Sequence, residues 1–146
     1  MVFGGVIIAV PSWNSIIHGT HVVVGHAMGA ELGIDGMVLF GVVTYLLMTL
    51  YPEAGAVRER INGQAMRGVI VMLNLSAAAL VSWLMVSGTA TGLLRYYQRP
   101  VPPWLSGGHW VFVIAGFLLA ASLIALLSRW VPLLFGMARR RAADAA

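Results

Sequence analysis

Three of the four histidines in this chain lie close together in a segment that is otherwise apolar. The segment "HGTHVVVGHAMGAELGID" runs from His18 to Asp35 and also contains one methionine and two carboxylic acids. Ionisable side chains are costly in the middle of a bilayer, and those that occur there usually serve a function. Imidazole and thioether groups both bind haem iron. The segment therefore predicts a cofactor site or a proton path.

The spacing of His26 and Met28 suits a helix placed between two flat cofactors. Two residues apart on a helix, they point to roughly opposite faces and differ in height by about 3 Å. His21, Met28 and Asp35 repeat every seven residues, and Glu31 falls on the same stripe. The alternatives are that Met28 only packs, and that the histidines and acids only form hydrogen bonds to neighbouring helices.

The composition indicates an integral membrane protein that is all-α. Of the 146 residues, 60% are hydrophobic and 10% are charged, with a mean hydropathy of +0.87. A soluble domain has about a quarter charged residues. The net charge of +4 does not indicate nucleic-acid binding, because the arginines lie at the ends of apolar runs. The chain has no cysteine, which excludes a disulfide framework and a cysteine-ligated metal.

We predict one membrane domain over residues 1–146, an all-α bundle of one partial and three full transmembrane helices. The partial helix covers residues 1–11 and resembles the second half of a helix that begins elsewhere. Pro11 ends it, and Ser12, Asn14 or Ser15 is expected to cap the next helix. The full helices are predicted over about 16–50, 64–97 and 109–135, with loops between them and a polar tail over 136–146.

The arginines predict the orientation of these helices. With three full spans, the first loop and the tail share one side of the membrane. That side holds five arginines, whereas the opposite side holds only Arg95 and Arg99. The positive-inside rule therefore places the tail in the cytoplasm and the histidines in the outer half of the first full span.

Two stretches resemble the nitric oxide reductase large subunit, a member of the haem–copper oxidase superfamily. "FGGVIIAVPSWNSIIHGTHVVVGHAMG" resembles the segment around that family's tenth helix. The matching elements are Phe3-Gly4, the Pro11 break, the triplet His18-Gly19-Thr20 and the pair at positions 26 and 28. "NGQAMRGVIVMLNLSAAALVSWLMVSGTATGLLRYYQR" resembles its eleventh helix, and the last span resembles its twelfth. The resemblance covers nearly the whole chain, but only the C-terminal part of the family's subunit.

The resemblance implies two haem b groups. It makes His26 the axial ligand of the high-spin haem at the active site, and it makes position 28 the ligand of the low-spin haem. The family has histidine at that position, so Met28 is a departure. It either ligates the haem through sulfur or only packs, while His18 and His21 contact haem propionates. Glu31 and Asp35 would belong to a proton path. The non-haem iron is expected on helices that this chain does not contain.

The function implied is that of a haem-binding piece of a nitric oxide reductase, which converts two NO, two electrons and two protons to N2O and water. The expected partners are the remainder of the large subunit, a membrane-anchored cytochrome c subunit or quinol, and the lipid bilayer. The expected location is the bacterial inner membrane, with several spans. One alternative is a piece of a cbb-type oxidase that reduces O2. Another is a small non-catalytic helical subunit or transporter fragment without haem.

Overall fold

The computed structural model describes residues 2–50, 61, 63–106 and 109–144, and nearly all of them are helical. Three helices in this part of the chain are long and apolar enough to cross a membrane: His21–Thr49, Gln64–Tyr96 and Pro103–Gly136. The prediction of an all-α chain with three long apolar helices is confirmed for the described residues. The predicted loop over 51–60 lies outside the described residues.

Two short helices precede the first span. Helix α1 covers Val2–Ala9 and α2 covers Pro11–Ile17. Pro11 ends α1 as predicted and occupies the first turn of α2, where its missing N–H is not needed. The predicted cap is wrong, because Val10 precedes α2 without a side-chain hydrogen bond. The Ser15 hydroxyl donates instead to the carbonyl oxygen of Ser12 over 2.8 Å.

The first span begins later than predicted because a tight turn separates it from α2. Gly19 has φ +74°, a left-handed conformation that no α-helix can pass through. Thr20 then caps helix α3, His21–Ala30. Its hydroxyl accepts from the N–H of Val22 over 3.3 Å and donates to the carbonyl of Ile17 over 2.7 Å. The single helix predicted over 16–50 is therefore wrong at its start.

The first span also changes from α-helix to π-helix in its middle. A π-helical segment, Glu31–Gly36, follows α3, and helix α4 continues over Met37–Leu50. A Cβ on Gly36 would lie 3.3 Å from the carbonyl oxygen of Glu31, five residues earlier. The 3.6-residue period that places Asp35 on one stripe with His21 and Met28 does not continue through this wider turn.

The remaining elements are helix α5, Gln64–Tyr96, the short helix α6, Pro103–Ser106, and helix α7, His109–Asp144. The end of α5 agrees with the prediction to within one residue. Helix α6 was not predicted. Helix α7 runs through Pro132 and on to Asp144, so residues 136–144 of the predicted polar tail continue this helix beyond the apolar span, which ends at Gly136. The segment "ARRRAAD" consists mostly of alanine and arginine, which favour helix.

Helix α5 lies at the centre of the bundle, with α7 and the first span packed against it. The core consists of apolar side chains from these three elements. Phe40 of α4 meets Trp130 of α7 edge to face, with ring centroids 5.7 Å apart. Buried members of the core include Leu47, Leu73, Leu80, Leu119 and Leu126. This packing fixes the faces of α3 that stay available for function.

Candidate functional site around His26

Glycines bring α3 and α5 into close contact. A Cβ on Gly25 would lie 2.9 Å from the Cβ of Leu84. A Cβ on Gly88 would collide with the backbone nitrogen of Val22, and one on Gly92 would lie 2.5 Å from the carbonyl oxygen of Ile16. Gly88 and Gly92, four residues apart, thus form the kind of small-residue face that lets helices approach closely. Helix α5 packs on the face of α3 that carries Gly25. His26 and Met28 therefore lie on the two sides of α3 that flank this face.

The imidazole of His26 lies against the backbone of α1. A Cβ on Gly4 would be 3.4 Å from Nδ1 of His26, and a Cβ on Gly5 would be 3.3 Å from its Nε2. The ring is half-buried, and its Nδ1 atom is buried without a hydrogen-bond partner among the described residues. His26 is therefore packed against α1 with its Nδ1 atom buried and unpaired among the described residues, and a buried polar atom of this kind indicates a partner that these residues do not supply.

A groove of about 310 Å³ lies between the first span and α5. Gly29, Gly33 and Met37 of the first span line it. Helix α5 contributes mainly small residues, including Ala77 and Ala78. Small side chains on both walls allow a flat group to approach the backbone closely.

Met28 lies on the other flank and packs against the buried core formed by α4, α5 and α7. Its side chain is half-buried. The structure therefore separates the two predicted ligands: His26 contacts α1, and Met28 contacts the central core.

His18 and His21 are placed apart from His26. His18 lies in the turn before α3 and is exposed. His21, also exposed, is the first residue of α3 and lines a cavity shared with Arg95 and His109. The sequence did not predict that His109 and His21 would line one cavity, because nothing in the spacing indicates how the ends of two separate spans are arranged.

The two acids of the first span both lie in the π-helical segment and are exposed. In the most apolar window of this span only 6% of residues are buried, against 28% in α5 and 22% in the third span. Glu31 and Asp35 thus lie on the least covered span. The sequence signal for this unusual turn was weak, consisting only of the two glycines in "ELGIDG".

Among the described residues, no three histidine, aspartate or glutamate side chains form a group that could hold a metal ion. This finding does not bear on haem, which the macrocycle holds and the protein ligates through one or two side chains. No protein-family model matches this sequence, and no curated protein or solved structure matches it either.

Proposed function

We propose that this chain is the haem-binding C-terminal piece of a membrane nitric oxide reductase, and that His26 is the axial ligand of its high-spin haem b. The observation that carries the proposal is the His26 ring. It is the one histidine of the four that is not exposed, and its Nδ1 has no partner among the described residues. The resemblance of residues 3–29 to the family's tenth helix supplies the identity of the ligand.

The imidazole of His26 has the chemistry of a haem ligand, but the position of α1 beside it sets one condition for haem binding. Haem-ligating histidines bind iron through one ring nitrogen and donate a hydrogen bond from the other. The unpartnered Nδ1 suits the second role, with Nε2 left for the iron. Because Gly5 lies against Nε2, ligation requires α1 to lie further from α3 than it does here. Haem, when bound, supplies the iron that takes NO and passes electrons.

The other residues have supporting roles in this proposal. The packing of Met28 on the core supports the alternative in which it does not ligate iron, so that other chains supply the ligands of the low-spin haem. His18 and His21 remain the proposed propionate contacts at the outer end of α3. Glu31 and Asp35 face away from the core of this chain, and we assign them to a proton path shared with the missing helices. The remainder of the large subunit and an electron donor, a cytochrome c subunit or quinol, complete the enzyme.

A haem-free helical membrane subunit is the second candidate. Two observations favour it: α1 covers the His26 ring, and Met28 is used in packing. A piece of a cbb-type oxidase is a variant of the first proposal, because it uses the same haem scaffold with O2 as substrate.

Activity of the native complex separates these candidates. The complex purified from membranes is assayed for NO and O2 consumption and for binding of CO to reduced haem. We expect NO consumption and CO binding in the wild type, loss of both in His26→Ala, and retention of both in His109→Ala, a histidine of another helix. O2 consumption without NO consumption favours the oxidase, and a complex without haem favours the non-catalytic subunit.

A further inference from the structure

A second cavity, of about 540 Å³, lies where the first residues of α3 and α7 meet the last turns of α5. Its polar lining consists of His21, Ser87, Thr91, Arg95 and His109. Cavities of about 300–1,000 Å³ commonly hold small molecules of drug size. The cavity is therefore large enough for a polar head together with the first part of a hydrocarbon chain.

The cavity lies at one boundary of the membrane. His21 begins the first span, Arg95 lies in the last turn of the second, and His109 lies near the start of the third. These three ends share one side of the bilayer because successive spans run in opposite directions. Lipid headgroups occupy this depth, just outside the hydrocarbon layer.

The lining combines one arginine with apolar side chains. Arg95 keeps its charge at any physiological pH and presents several N–H donors. Neither an aspartate nor a glutamate is among the lining residues. The apolar wall includes Val24, Leu84, Leu105 and Phe112. This pairing of an arginine with apolar side chains matches a molecule with an anionic head and a hydrocarbon chain.

A buried hydroxyl without a partner is the second, independent sign of a ligand. Ser87 is only 3% exposed and lines the cavity, and its Oγ has no hydrogen-bond partner among the described residues. The other buried helix serines differ. Ser76 donates to the carbonyl oxygen of Met72 and Ser122 to that of Leu118, each over 2.8 Å. Since buried hydroxyls are nearly always paired, the Ser87 hydroxyl points to a group that this chain does not supply.

We propose that this cavity binds an anionic membrane amphiphile, a phosphate or carboxylate head on an acyl chain, with Arg95 as the charged contact. Ser87 donates to the head, and the acyl chain lies along the apolar wall formed by Val24 and Phe112. The site goes beyond the proposed function, because its charged and hydrogen-bonding contacts, Arg95 and Ser87, are not among the proposed haem contacts, and the two sites share only His21. Lipid binding is measured by mass, so it can succeed or fail independently of haem content.

The test is native mass spectrometry of the full chain, in its complex where one co-purifies, titrated with phosphatidylglycerol, oleate or phosphatidylcholine. We expect one tightly bound anionic amphiphile and much weaker binding of the zwitterionic lipid. Arg95→Gln should lower the association constant about fivefold, the effect typical of one arginine near an anionic headgroup. Arg99→Gln is the matched control, because Arg99 is exposed and is not among the lining residues.

Binding of phosphatidylglycerol alone identifies phosphate as the head, and binding of oleate alone identifies carboxylate. Ser87→Ala removes the unpartnered hydroxyl without adding volume, so a folded protein with weaker binding supports the site even if Arg95→Gln does not fold. Equal association constants for phosphatidylglycerol and phosphatidylcholine overturn the proposal. Binding that is unchanged in both Ser87→Ala and folded Arg95→Gln overturns it as well.

Discussion

The Thr20 hydroxyl joins two helices of the N-terminal region through a single oxygen atom. It accepts from the N–H of Val22 in α3 and donates to the carbonyl of Ile17 in α2. Thr20 belongs to the triplet His18-Gly19-Thr20 on which the family resemblance partly rests. The structure thus gives this residue a structural role that holds whether or not the chain binds haem.

We predict that Thr20→Ala lowers the free energy of unfolding by about 1–2 kcal/mol, because it removes a helix cap and leaves a buried N–H without its partner. Thr20→Ser keeps the hydroxyl and should lose less than half as much. The measurement is reversible unfolding of the purified protein in mixed micelles, followed by circular dichroism. Equal losses in the two variants would show that the hydroxyl does not cap α3.

Met28 is the residue for which the sequence left two interpretations. The structure packs its side chain against the core, and leucine replaces methionine in such surroundings at a cost under about 1.5 kcal/mol. We therefore predict that Met28→Leu leaves the haem content and the reduction potential of the native complex unchanged. Optical redox titration measures both quantities. Disappearance of a sulfur-to-iron charge-transfer band in the variant would instead establish Met28 as an axial ligand.

At the scale of the elements, the packing of α5 on α3 depends on glycine. Gly88 lies against the backbone of Val22, where any Cβ collides. Gly68 is on the same helix but has nothing within 4 Å of its added Cβ. The two glycines form a matched pair that separates close packing from the intrinsic helix preference of alanine.

We predict that Gly88→Ala destabilises the fold by about 1–3 kcal/mol, because the two helices must move apart. Gly68→Ala should be neutral or stabilising by up to about 1 kcal/mol, since alanine favours helix over glycine. Unfolding in a titration with a denaturing detergent gives both values. A Gly88→Ala protein as stable as wild type would contradict the close approach of α3 and α5.

The sequence predicted the long helices better than it predicted their interruptions. The long apolar run and Gly63 before it predict the bounds of α5 almost to the residue. An apolar run of this length in a membrane is expected to be helical, because its backbone N–H and C=O groups must be paired within the segment. The turn at Gly19 was missed because the apolar residues 16–17 and 22–24 around it suggest one continuous helix. The π-helical turn was missed because the spacing of Glu31 and Asp35 in the sequence is compatible with the 3.6-residue period of an α-helix. Helix α7 extends beyond its predicted end because the charged segment that follows residue 135 consists mostly of alanine and arginine, which favour helix.

The residues of the candidate site were likewise only partly predictable from the sequence. The residues that bear chemistry could be selected from the sequence, because ionisable groups are rare in apolar spans. Their neighbours could not, because the packing of Gly5 on His26, and the cavity that His21 and His109 both line, join elements far apart in the sequence. The paired glycines of α5 were the exception, since small residues four apart indicate close helix packing by themselves.

For the whole molecule, exposure is distributed unevenly among the three spans. The first span has the smallest buried share in its most apolar window, and it carries His26 and both membrane acids. Exposed acids facing lipid would be costly, so we expect further helices of a larger membrane chain to cover this face. The chain should accordingly co-purify with such a partner rather than as a stable haem-free monomer.

The most direct test of the central claim is the amount of haem b per chain in the native complex, measured as the pyridine haemochrome. We predict that His26→Ala lowers the haem content by one haem per copy of this chain. His109→Ala, which changes the histidine at the N-terminal end of α7, should keep the wild-type amount. A folded His26→Ala complex with the full wild-type haem content, or a wild-type complex without haem, would contradict the assignment of His26.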